Sequence, residues 1–286
     1  MRNALTRVDP VWLVLIGIGS VQLGAAFAKD LFALSSPTAT AWLRLCMASL
    51  IFLTFARPRL RGRRPKEWLI VAGYGLALAG MNWAIYASFA RIPIGVAVTV
   101  EFLGPLAVAV AGSRRPRDLL WVGLAGLGVA LLGLQPVDAD WIGLGLALLA
   151  GALWAGYIVL AGPTGRHFEG VSGVTVASLI GAVLLAGPAL AFGDPVFSPH
   201  VLGVVLAVGL LSSVIPYGLE MVALRRMRPG LFGILMSLEP AAAALFALLL
   251  LGEGLSLPEW IAMGCVIVAS VGAARSRTAS EPPLRD

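Results

Sequence analysis

The sequence predicts an all-α polytopic membrane protein, ten transmembrane helices in two inverted five-helix repeats. Three observations carry this. Apolar residues make up 59% of the 286 and charged ones 13%, with a mean hydropathy of +0.91, leaving too little polar surface to cover a soluble globule. Ten apolar segments have the roughly 20 residues that cross a ~30 Å hydrocarbon core; they begin near Val11, Ala39, Trp68, Ile94, Leu119, Trp141, Val171, Val201, Leu231 and Trp260. The basic residues gather in alternate links between those segments, where they set topology rather than bind nucleic acid, despite a net charge of +6. The expected surroundings are therefore a lipid bilayer.

The first segment follows Arg2 and Arg7 and contains Ala26-Phe27-Ala28, a pattern also found in cleavable secretory signals. It is read as a retained span, because its loss would leave nine and break the repeat. With the N-terminus in the cytoplasm, the inner links carry Arg57, Arg59, Arg61, Arg63, Arg64 and Lys66, then Arg114, Arg115 and Arg117, Arg166, Arg225, Arg226 and Arg228, and Arg275, Arg277 and Arg285. With Arg2 and Arg7 these are 18 of the 21 Lys and Arg residues, so the positive-inside rule puts both termini in the cytoplasm. Lys29 and Arg91 fall outside and Arg44 within the second span, while the outer links carry Asp138, Asp140 and Asp194. The expected units are residues 1–138 (spans one to five), 139–274 (spans six to ten) and a cytoplasmic tail at 275–286. Cys46 and Cys265 both lie in apolar spans, which points to neither a disulfide framework nor a metal site.

The halves resemble one another. Arg91-Ile-Pro-Ile-Gly95 precedes a span with Glu101 and Pro105; Arg228-Pro-Gly230 precedes one with Glu239 and Pro240; each is followed by a polar turn and a Trp, Trp121 and Trp260. The match is imperfect, since Pro93 to Glu101 is shorter than Pro229 to Glu239. An odd number of spans per half inserts the second half upside down, a recurrent design of secondary transporters with the site near the midplane. Pro-Gly turns that merely recur would give the same pattern without a repeat.

Glu101 lies about 12 Å past Pro93, and Glu239 about 13.5 Å past Gly230 from the opposite face, at 1.5 Å per helical residue. Acidic groups at the bilayer centre cost about 2.5 to 3.5 kcal/mol on insertion scales, so they face a protein or wet interior. A protonated Glu bonded between helices is the structural alternative. Pro105 leaves the carbonyl of Glu101 without its helical donor, and Pro240 does the same for Met236; such carbonyls suit an ammonium group or a cation. Arg44 either snorkels to the outer interface or turns inward to fork a carboxylate. Glu220 reads foremost as an interfacial ion pair with Arg225 and Arg226, otherwise as a gating residue beside Pro216. Asn82 and Tyr86, four apart, share one face of the third span; Tyr74, Gln22, Trp154, Tyr157 and Tyr217 are further candidates for a cavity wall. No nucleotide-binding loop, paired His motif or serine elbow occurs, so no cofactor, enzyme chemistry or ATP engine is expected.

The runs Met81-Asn82-Trp83 to Tyr86, Ile92-Pro-Ile-Gly-Val-Ala97, Glu101-Phe-Leu-Gly-Pro105, Pro216-Tyr-Gly-Leu-Glu220-Met and Leu235-Met-Ser-Leu-Glu239-Pro240 resemble EamA-type drug/metabolite transporters, in particular the bacterial threonine/homoserine exporter branch. The resemblance spans nearly the whole chain; Trp83 stands where members tend to carry Tyr. It implies a multi-pass protein of the bacterial inner membrane, monomeric or homodimeric, exporting small neutral amino acids at the expense of the proton gradient. In that reading Glu101 takes the amino group or the proton, Arg44 the carboxylate, Asn82 and Tyr86 orient the substrate, and Glu239 supplies the matching acid. Pro105, Pro216, Glu220 and Pro240 form helix breaks or gates. The rivals are export of another metabolite or a cationic drug on the same fold, and a passive channel.

Overall fold

A computed structural model describes residues 8–56, 58, 60–111, 118–133, 140–169, 171–192, 197–224, 226–227 and 229–278. The described residues are helical, without strands. Helix starts follow capping chemistry. Asp9 accepts from the Val11 N–H at 2.8 Å to begin α1 (Pro10–Asp30); Ser36 accepts from Ala39 at 3.1 Å to begin α2 (Pro37–Phe55). In both, proline takes the first helical position, where its missing N–H costs nothing. Helix α3 (Pro65–Phe89) also begins on proline. The fourth span is split into α4 (Ile94–Glu101) and α5 (Leu103–Ala111), and α6 (Asp118–Gly133) follows.

The second half runs α7 (Trp141–His167), capped by Asp140, and α8 (Ser172–Phe192). Its eighth span is α9 (Pro199–Gly209), a π turn at Leu210–Val214, and α10 (Ile215–Leu224). The ninth is α11 (Pro229–Met236) and α12 (Glu239–Leu251), which ends at Gly252 in the left-handed region, φ 69°; the tenth is α13 (Leu257–Thr278). All ten expected spans thus have a helix starting within three residues of its sequence position. Among the described residues, nine are long and apolar enough to cross a membrane. The fifth, α6, has 16 residues. The last helix continues to Thr278, past residue 275 where the tail was expected; the boundary at 138 and 139 falls outside the described residues.

Hydrophobic side chains crowd the outer surface, as lipid permits: Phe192 is 86% exposed and Leu69 75%. Packing is reciprocal between halves. Helix α3 packs on α7 and α8, while α1 packs on α10 and α12; α4 and α5 lie on α7, and α4 meets α12. Small residues set these contacts. A Cβ on Gly95 would come within 2.9 Å of Ala244 Cα, and one on Gly151 within 2.5 Å of the Glu101 carbonyl oxygen.

At one end of the bundle, ion pairs tie the halves together. Lys29 Nζ lies 2.7 Å from Glu253 Oε1 and donates to the Ile92 carbonyl at 3.1 Å, and Glu253 Oε2 accepts from the Ile94 N–H at 2.9 Å. Arg91 meets Asp140 at 2.8 Å. The Gly143 N–H first, then Arg91, hold Asp140 below the ordinary carboxylate range. On the opposite face Arg63 pairs with Glu67 at 3.5 Å, donates to the His167 carbonyl and lies 4.5 Å from the Phe168 ring centroid.

Candidate functional site

Three spans break within their length, each beside a proline. In the fourth, Pro105 has no N–H for the Glu101 carbonyl, and the helix pauses at Phe102, whose own N–H bonds Val98 at 3.0 Å. The freed carbonyl is not offered to a ligand. It packs on the Cα side of Gly151, a close approach of the kind in which Cα–H donates weakly. In the ninth span Ser237 and Leu238 form a turn, Leu238 N–H bonding Leu235 at 3.0 Å, before Pro240 enters the next helix. Neither Pro105 nor Pro240 lines the cavity described below.

The eighth span breaks differently. Its π turn sends the Ile215 N–H back to Leu210, skipping Leu211, and Pro216 lacks the N–H that would have served Ser212. Both carbonyls are taken by the first half of the chain: Ser20 Oγ donates to Leu211 at 2.7 Å, and Arg44 Nη2 donates to Ser212 at 3.1 Å. Gly24 makes room, since a Cβ there would overlap Ser212 Oγ.

Between these breaks lies a cavity of about 190 Å³. Its wall includes Arg44, Asn82, Tyr86, Glu101, Pro216, Glu220 and Glu239, together with Gln22, Trp154, Tyr157, Ser212 and Tyr217. Arg44 therefore turns inward rather than snorkelling. Its Nη1 donates to the Tyr86 hydroxyl at 3.2 Å, and its Cζ sits 5.5 Å from that ring's centroid. No carboxylate of the described residues lies within the 4.0 Å ion-pair distance of Arg44, and its Nε is buried without a partner. Glu101 and Glu239 line the same void. Gln22 Nε2 donates weakly to Glu239 Oε1 at 3.4 Å, leaving Glu239 Oε2, Gln22 Oε1 and Ser212 Oγ buried and unmet. Asn82 donates one N–H to the Leu78 carbonyl at 2.7 Å, which leaves its amide oxygen and its second N–H for a ligand. Buried polar atoms are almost always paired. A cluster of unpaired ones around a void marks where a polar solute or water belongs.

Glu220 lines the cavity and makes no ion pair with Arg226, which donates to the Val8 carbonyl at 2.8 Å; its other expected partner, Arg225, lies outside the described residues. The helical turn that carries Tyr217 points Glu220, three residues on, toward the same interior. Tyr74 stands behind the wall, stacked on Tyr157 at 4.5 Å, and Tyr157 shares a 2.8 Å hydrogen bond with Tyr217. Sequence reasoning missed Ser20, Ser212 and the Lys29–Glu253 pair. The first two had no signal beyond Pro216 itself; Lys29 was visible as a basic residue on the wrong side.

The family model described as EamA-like transporter family matches residues 141–275. The chain is 43% identical over 276 residues to "Threonine/homoserine exporter RhtA" of Salmonella typhimurium (strain SL1344), covering 93% of each. It is 42% identical over 275 residues to the protein of that name in Escherichia coli (strain K12), covering 93% of this chain and 92% of the relative. "Uncharacterized inner membrane transporter YedA" of the latter organism is 28% identical over 258 residues, covering 82% and 80%. A solved crystal structure superposes on 94% of this chain and 99% of its own with a TM-score of 0.63 at 20% identity, which shows a shared fold. On its identity to the exporters over nearly its whole length, and on the match across its second half, the chain belongs to the EamA-like transporter family.

Proposed function

We propose that this transporter exports small neutral amino acids of the threonine and homoserine kind across the bacterial inner membrane, in exchange for protons, by alternating access between its halves. The observation that carries the reading is the cavity's polarity: Arg44, without a carboxylate partner, stands across one void from Glu101 and Glu239. That arrangement is complementary to a zwitterion. Arg44 Nε is a free donor for the carboxylate, and Glu101 accepts the ammonium group or the proton that replaces it. Asn82 offers its amide oxygen, and Tyr86 holds Arg44 in place. Glu239 supplies a second acid, and Glu220 and Tyr217 guard the route toward the cytoplasm. The relatives' names support the substrate class, and the inner-membrane name of the third supports the location.

A cavity of about 190 Å³ falls below the roughly 300–1,000 Å³ that drug-sized ligands occupy, which favours a small metabolite over a cationic drug. Reciprocal packing of α1 and α7 on opposite halves is what two inverted repeats, residues 1–138 and 139–274, would produce.

The test is flux in proteoliposomes loaded with labelled threonine or homoserine, with and without an imposed pH gradient. Gradient-dependent movement, abolished by a protonophore, is expected. Movement indifferent to both, or none for any neutral amino acid, rejects the proposal.

A further inference from the structure

The geometry assigns Pro216 a positioning role: by withholding an N–H from the Ser212 carbonyl, it supplies the backbone acceptor that aims the Arg44 guanidinium into the cavity. The inference rests on Arg44 being the carboxylate-binding group, and it names what sets that group's orientation.

An arginine on a membrane helix has four rotatable side-chain torsions and five N–H donors. Left alone at this depth it would bend toward water. Here two fasteners hold it. Nη1 reaches the Tyr86 hydroxyl on the third span, and Nη2 reaches the Ser212 carbonyl on the eighth. In an unbroken helix that carbonyl would already be bonded to the residue four positions on. Position 216 is the one place where proline removes this competitor, and the π turn before it rotates Leu211 out of register so that Ser20 takes the neighbouring carbonyl at 2.7 Å. The first half's spans one and two are thereby pinned to the eighth at adjacent carbonyls. Two of the five N–H donors are so engaged, and among those left is Nε, buried and without a partner, a donor available to the substrate carboxylate.

Pro216→Ala restores the N–H, draws the Ser212 carbonyl back into its helix and releases Arg44. The experiment measures calorimetric Kd for threonine and for threonine amide, which lacks the carboxylate, on purified protein. Wild type, P216A, R44Q and the double variant are compared, each checked by circular dichroism and gel filtration. P216A is expected to weaken threonine binding about tenfold, the size of one lost charge-assisted hydrogen bond, to leave the amide unchanged, and to add nothing on the R44Q background. Pro216→Gly, which also restores the N–H, should repeat the result. Equal losses for both ligands, a loss that persists on the R44Q background, or an unchanged Kd overturns the assignment. So does failure of both variants to fold, which would make Pro216 a folding residue. If R44Q itself leaves threonine and its amide undisturbed, the reading of Arg44 fails instead, whatever P216A does.

Discussion

The broken fourth and ninth spans carry the two central acids, yet they place them on opposite sides of their breaks. Glu101 is the last residue of α4, whereas Glu239 is the first of α12. The peptide dipoles of a helix leave its last turn negative and its first turn positive. Glu101 therefore sits at the negative end of α4 and Glu239 at the positive start of α12, where Glu239 Oε1 also accepts from Gln22. The breaks differ in support as well. The Glu101 carbonyl is braced by Gly151, while the nearest neighbour to a Cβ on Gly233 before the ninth break is Ala274 at an ordinary 3.5 Å. Two acids that look equivalent in sequence thus stand in different surroundings.

The sharpest way to break this comparison is to neutralise each acid. Glu101→Gln should reduce gradient-driven transport to the leak level with protein still folded in the membrane. Glu239→Gln should keep the response to a pH gradient while lowering apparent affinity about tenfold. Flux in proteoliposomes at several substrate concentrations decides it, and equal failure of both variants would erase the distinction.

The glycines give the next largest contrast. Gly151→Ala forces a Cβ to within 2.5 Å of the Glu101 carbonyl and should cost about 1–3 kcal/mol in the manner of an overpacked core. Gly233→Ala, with room to spare, should be neutral or up to about 1 kcal/mol stabilising through helix propensity. Thermal unfolding in detergent measures both.

Outside the membrane the effects shrink. Lys29→Ala or Glu253→Gln removes a partly exposed pair worth about 1 kcal/mol or less, so Tm should fall slightly; a large fall would show that the outer tie between halves governs stability. The Arg91–Asp140 link is smaller still. Because Asp140 is held below its usual range, its contribution is complete above the unfolded carboxylate value and disappears only as pH drops through the lower folded value. Asp140→Asn should accordingly match wild type in strongly acid solution and differ from it at neutral pH, in an unfolding series against pH.

Much of the fold was legible because each signal is local. Apolar runs mark spans; the caps at Asp9-Pro10, Ser36-Pro37 and Ser198-Pro199 are equally local, though only the structure brought them out. The site was legible in part. Arg44, Asn82, Tyr86, Glu101 and Glu239 stood out because polar groups at membrane depth are costly, and all five line one cavity. Glu220 read foremost as a partner of Arg225 and Arg226 because they are near in sequence, whereas helical rotation turns it toward the cavity. Pro105 was expected to free a carbonyl for a ligand; that carbonyl was free of its helix but covered by Gly151, a residue 50 positions away.

Composition and patterning alone determined that this chain dissolves in lipid, where its apolar helices begin, and which ionisable groups are too expensive to sit there idly. These follow from the transfer cost of each segment, whatever its neighbours. Tertiary structure alone decided that Arg44 faces inward, that Ser212 and Tyr86 grip it, and that Glu101 and Glu239 share a void, because such facts depend on which helices touch and at what rotation. A membrane offers no hydrophobic force between helices to make that choice predictable from apolar pattern; it is made by glycine contacts and by a few carbonyls that proline leaves open.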